Sequence, residues 1–161
     1  TFPQLANPVQ LQVDGKGRLW AAAWPTYPKW EPLKEMNDAL LIFEDTDNDG
    51  EADRRTVFWD QGRRLTSVET GYGGVWVLDA PNLLFIPDRN GDDVPDSEPV
   101  VMLDGWDDHA VRHNIVNGLR WGPDGWLYGR HGIMATSLVG RPGATPVRSL
   151  RRRASRSPDV G

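Results

Sequence analysis

Cysteine is absent from the 161 residues, which excludes disulfides, cysteinyl zinc sites and covalently attached c-type haem within them. No apolar run exceeds the six residues from Leu19 to Trp24, and a spanning helix needs about 20. A phosphate-binding Gly-x-x-x-x-Gly-Lys loop and a nucleophile elbow are missing, and Gly71-Tyr72-Gly73-Gly74 is not a dinucleotide loop, so ATP, serine-hydrolase and NAD chemistry are disfavoured. The chain opens at Thr1 with neither a basic stretch nor an apolar stretch. A leader is therefore expected to be missing or removed upstream, and the sequence reads as a fragment or mature piece.

What is abundant is turn-forming residues, with 17 Gly and 13 Pro, together well above the roughly 12% of average usage. Short strands are expected rather than long helices. Charge divides the chain. Residues 1 to 140 carry 12 basic and 22 acidic side chains, whereas 141 to 161 carry six Arg and one Asp. The acidic body argues against nucleic acid, whose phosphates need clustered Lys and Arg. The basic end loses every aromatic residue, and two readings are open: a disordered tail, or the product of a reading-frame slip near Gly140. The expected organisation is a β-rich body over 1–140 and this tail over 141–161.

A strand-turn rhythm repeats along the body. Apolar and polar residues alternate from Val9, break at Gly15 to Gly17 and resume at Leu19 and Trp20, a hairpin signature. The cadence returns from Leu119 through Pro123-Asp124-Gly125 to Tyr128, and more weakly at Gly73 to Val77. Equating Trp20, Trp76 and Tyr128 gives a period near the 40 to 50 or so residues of a four-stranded propeller blade. The fold expected is all-β, a fragment of about three blades of a six-bladed β-propeller, although a sandwich remains open.

Two acidic loops also recur, starting 43 residues apart: Asp45-Thr-Asp-Asn-Asp-Gly-Glu-Ala-Asp53 and Asp88-Arg-Asn-Gly-Asp-Asp-Val-Pro-Asp96. Alternating oxygen donors followed by Gly let a short loop curl around calcium. The expected ligands are Asp45, Asp47, Asp49 and Asp53 in the first loop, and Asp88, Asn90, Asp92 and Asp96 in the second. A twelfth-position Glu is lacking, Thr56 standing there, so neither loop is an EF-hand. The alternative is a set of Asx-turns at solvated hairpin tips.

All three histidines, His109, His113 and His131, fall within 23 residues, with Asp107 and Asp108 nearby. Histidine moves protons near neutral pH, and a neighbouring carboxylate raises its basicity. Equally, His113 and Asn114 could only hydrogen-bond loop backbone. The segment from Trp24 to Trp30, pinned by Pro25 and Pro28, also reads in two ways: an aromatic wall beside a channel, or a flap over apolar surface.

The segments Phe2 to Leu11, Trp24 to Trp30, Phe43 to Gly50, Ala80 to Phe85 and Arg112 to Gly129 together resemble the planctomycete and verrucomicrobial proteins described as membrane-bound dehydrogenases. That family is similar to the six-bladed quinoprotein propellers of soluble glucose and aldose sugar dehydrogenases. The resemblance, over residues 1 to 140, implies an extracytoplasmic or periplasmic sugar or alcohol dehydrogenase using pyrroloquinoline quinone (PQQ). Longer members add a c-type cytochrome domain. His113 matches the family's general base, with Asn114 in the closer register. Arg112 and Asn114, with Trp24, Tyr27 and Trp30, become candidate substrate- or cofactor-binding residues. The 161 residues alone are expected to be inactive. A non-catalytic carbohydrate- or protein-binding propeller is the alternative.

Overall fold

The alternating segments all become strands. The computed structural model describes residues 5–28, 36–109, 115–144 and 147–148. Twelve strands are present among them: β1 (Pro8–Val13), β2 (Leu19–Ala23), β3 (Asp38–Glu44), β4 (Arg54–Gly62), β5 (Leu65–Thr70), β6 (Gly74–Asp79), β7 (Asn82–Pro87), β8 (Val100–Leu103), β9 (Asn117–Trp121), β10 (Leu127–Arg130), β11 (Leu138–Val139) and β12 (Val147–Arg148). The described residues contain no helix, and so none long and apolar enough to cross a membrane.

Strands β1 to β4 form one antiparallel sheet in sequence order, and β5 to β8 form a second with the same order. Two further pairs, β9 with β10 and β11 with β12, complete the set. Chain-order neighbours joined by short turns are the simplest all-antiparallel solution.

The three hairpins that open these sheets share one device. Asp14 organises the first: its Oδ1 accepts from the backbone N–H groups of Lys16 and Arg18, and its Oδ2 from Trp20 Nε1 at 2.9 Å. In the second, Trp76 Nε1 donates to the Gly71 carbonyl at 3.2 Å, and in the third the Tyr128 hydroxyl donates to Asp124 Oδ2 at 2.6 Å. Each second strand thus carries an aromatic ring whose polar atom bonds back to its own turn.

Sheet packs on sheet through apolar side chains. Trp20, Leu40, Ile42 and Phe58 of the first meet Val68, Val77, Leu84 and Ile86 of the second, with the Trp20 and Phe58 rings edge-on at 5.1 Å. The opposite face of the second sheet buries Leu78 and Leu83 against Val116 and Leu119, where Trp76 meets Trp121 edge-on. Trp121 lies so close to Gly71 that a Cβ there would stand 2.7 Å from its Nε1, at a φ of +149°. Gly71→Ala is expected to cost about 1–3 kcal/mol in urea unfolding, since ring and turn cannot both keep their places; a cost below about 0.5 kcal/mol would show that Trp121 yields freely.

Polar side chains join the first strands of the three units. Gln10 Nε2 donates to the carbonyls of Val68 and Leu119, Gln12 exchanges hydrogen bonds with Thr70, and Gln10 also bonds to Ser67. Ser67 and Glu69 in turn accept from the backbone N–H groups of Leu119 and Trp121. Strands β1, β5 and β9 are thereby held side by side.

Candidate functional site

Along β1 and β9 runs a cleft of about 1320 Å³. Gln10, Thr66, Asn117 and Gly118 contribute to its lining, with Val9 and Leu11 from β1, Arg120 from β9, and Tyr128 and Arg130 from β10. Trp24, Tyr27, Ile115 and Gly129 also border it. The Arg130 guanidinium lies across Gly118, where a Cβ would come within 2.5 Å of Nε. Arg120 Nη1 lies 3.9 Å from Glu69 Oε2, and burial pushes the Glu69 carboxyl above its ordinary value. Its bond to Asp124 holds the Tyr128 phenol proton, raising that pKa. Neutral donors and acceptors, a cation and aromatic faces thus meet in one concavity, a chemistry suited to polyhydroxylated ligands.

Trp24 and Tyr27 both reach this cleft, but in different ways. Trp24 is buried, packed with Met36, Ala80 and Ile115, while Tyr27 stands half-exposed with its ring edge-on to Trp24 at 5.5 Å. Trp30, Arg112, His113 and Asn114 lie outside the described residues. His109 is exposed and faces Asp108 at 3.3 Å, whereas His131 Nε2 meets Ser137 Oγ at 2.7 Å.

The acidic loops occupy equivalent places, one between β3 and β4 and the other between β7 and β8. Their hydrogen bonds repeat at a constant offset. Asp53 Oδ2 accepts from Thr46 N as Asp96 Oδ2 accepts from Arg89 N; Asp53 N donates to the Glu44 carbonyl as Asp96 N donates to that of Pro87. Asp47 and Asn90 each cap the residue two further on, as do Asp49 and Asp92. Positive φ falls at Asn48 and Gly50 in one loop and at Gly91 and Asp93 in the other. Gly and Asn tolerate this conformation at little cost; Asp93 tolerates it less well.

Side-chain placement separates the two. Oxygens of Asp45, Asp47 and Asp49, all exposed, lie within 4.8 Å of one another, a spacing that one cation with bonds of about 2.3–2.6 Å spans. Asp53 is not in this group; bonds from the Thr46 N–H and hydroxyl hold its carboxyl below the usual range and close the loop. In the second loop no three acidic side chains come together in this way among the described residues. Asn90 Nδ2 donates to Asp92, Arg18 pairs with Asp93 at 2.6 Å, and Lys16 Nζ donates to the Gly91 carbonyl. Cations from the first sheet balance that loop and tie the sheets together.

A second polar cluster was invisible in the sequence. Where the chain crosses from β4 to β5, Asp79 accepts from the N–H groups of Arg63 and Arg64, and Asp38 from that of Leu65. Asp38 is fully buried, its Oδ1 without a hydrogen bond, and burial, with the nearby Asp79 charge, pushes it up to about 7. Burial also raises Asp79. Arg64, 1% exposed, pairs with Asp108.

Fold and site together define an all-β protein of stacked antiparallel sheets with a cleft along their first strands. The chain belongs to the family described as a domain of unknown function, DUF7133, whose model matches residues 2–158. No curated protein and no solved structure matches it.

Proposed function

We propose that the two four-stranded sheets and the β9–β10 pair are successive blades of a β-propeller arc. This arc belongs to an extracytoplasmic sugar or alcohol dehydrogenase, and the hydroxylated substrate occupies the cleft along β1 and β9. Support for the arc comes from the side-by-side β1, β5 and β9 and from acidic loops repeating at equivalent positions. The cleft itself carries the substrate assignment. Asn117 and Arg130 supply directional bonds, and the faces of Tyr27 and Tyr128 cover the sugar's C–H surface.

The proton acceptor for the substrate hydroxyl is His113, on the strength of the family resemblance. PQQ is a tricarboxylate, and among the described cleft residues only Arg120 and Arg130 are cationic, the first of them facing Glu69. That donor set does not fit the quinone, so no step runs through it. The same observation favours a second reading, a propeller that binds carbohydrate or a protein without catalysis. In the complete protein supplied with quinone and calcium, a sugar is expected to drive dye reduction, and His113→Ala to abolish it. Unaltered turnover removes His113 from the mechanism, while glycan binding without quinone binding selects the second reading.

Calcium has a structural place in this account. Asp45, Asp47 and Asp49 bind it, and the second loop, with Asp88, Asn90, Asp92 and Asp96, binds it more weakly because Lys16 and Arg18 already balance its charge. Calcium at about 100 times its Kd is expected to stabilise the chain by about 2.7 kcal/mol over chelator, and Asp47→Ala to remove most of that gain. An unchanged Tm together with unchanged proteolytic nicking at 45–53 contradicts it.

A further inference from the structure

Strands β1 and β5 each open a four-stranded sheet, whereas among the described residues the sheet of β9 holds only β10 besides. After β10 the chain turns away and crosses to the end of β8. There Asp104 and Gly140 exchange backbone hydrogen bonds, and Leu138 N donates to the Gly105 carbonyl. The apolar floor of Leu78, Leu83, Val116 and Leu119 is thereby left open as a second cavity of about 400 Å³. Trp76 and Trp106 line it, as does Trp126, which is 72% exposed. No carboxylate, amide or hydroxyl side chain is in the lining, whose polar side chains are those of Arg130, His131 and Arg141. The Arg130 guanidinium lies across Gly118 in the cleft, so Arg141 is the cation of this cavity. Arg141 is exposed and pairs with no carboxylate among the described residues.

We propose that this cavity binds a small aromatic carboxylate, its ring among Trp76, Trp106 and Trp126 and its carboxylate on Arg141. A lining so poor in neutral donors and acceptors gives a sugar little to bond, while indole rings favour stacked or edge-on contact with a flat ring. An unpaired guanidinium at the margin of an apolar cavity selects an anion, because a charge-assisted bond to a carboxylate is stronger than one to a neutral oxygen. The residues that follow β12 carry Arg151, Arg152, Arg153 and Arg156, and that charge has the wrong sign to settle beside Arg141. None of Trp76, Trp106, Trp126 and Arg141 lines the cleft, so the site stands independently of the sugar assignment.

Titration of the whole chain with naphthoate, followed through the indole N–H signals in NMR, tests this against two probes of the same ring system, naphthylmethanol and naphthylmethylammonium. Naphthoate is expected to give saturable shifts at Trp76, Trp106 and Trp126 and to bind about fivefold tighter than the alcohol, as one partly exposed ion pair allows, with the ammonium weakest. Arg141→Gln, at an exposed position, is expected to keep the fold, to bring naphthoate down to the affinity of the alcohol and to leave that of the alcohol unchanged. Equal affinities for the three probes overturn the proposal, as do an absence of saturable binding and shifts confined to Gln10, Asn117 and Gly118. Binding that appears only once residues 149–161 are removed makes that segment the occupant and overturns it too.

Discussion

Asp38→Asn is expected to make the protein more stable at neutral pH and to flatten its pH dependence. Asp38 is fully buried, gives one oxygen to the Leu65 N–H and has no hydrogen bond to the other. Burial raises its pKa to about 7, against about 3.9 in an unfolded chain. Between those values the unfolded chain has released the proton that the folded chain still holds. The Asp38 contribution to stability is therefore most favourable below about pH 4 and is lost as pH rises to about 7. The loss is at most about 4 kcal/mol, from about three pKa units. Asparagine has the shape of the neutral acid and does not titrate. In urea unfolding at a series of pH values, the advantage of the variant should open between about pH 4 and 7 and then level off. Parallel curves for the two proteins contradict the assignment.

The largest loss is expected at Arg64. Its guanidinium is buried against Asp108, itself 5% exposed, while its backbone N–H is held by Asp79. Truncation to alanine takes the buried guanidinium from the Asp108 carboxylate, which keeps its contact with the exposed His109, at a cost of about 3–5 kcal/mol. That is a large share of the roughly 5–15 kcal/mol that a domain possesses. Removing both charges, as in R64M/D108L, should recover much of it, because the pair's desolvation penalty disappears with the pair. A cost for Arg64→Ala below about 1 kcal/mol in urea unfolding would mean that water or His109 compensates Asp108.

What the sequence disclosed and what it hid divide along range. The hairpins at Asp14 to Arg18 and Gly122 to Trp126 were legible because alternation and turn chemistry act within a few residues. The two acidic loops were legible as repeats for the same reason, down to their shared caps. The unequal roles within them were not: Asp53 closes its loop instead of joining Asp45, Asp47 and Asp49, and Asp93 is turned toward Arg18, 75 residues away. Trp24 could be read as cleft wall or as cover, and folding makes it chiefly cover, with Tyr27 at the cleft. The Asp38, Arg64, Asp79 and Asp108 cluster joins residues from four separate stretches, and no local pattern marks it. Gln10 and Gln12 carried a faint signal, as amides alternating with Val9, Leu11 and Val13 on one strand. Only the neighbouring strands reveal that they join β1 to β5 and β9.

The most direct test of the account is an amide-resolved NMR titration of the calcium-loaded chain with neutral monosaccharides and polyols, each compared with a simple alcohol. Saturable shifts should appear at Gln10, Asn117, Gly118 and Arg130, with little change at the Asp45–Asp53 loop, and Tyr128→Ala should weaken binding at least several-fold. If no sugar or polyol gives saturable shifts along β1 and β9, or if shifts appear only away from the cleft, the substrate assignment is wrong.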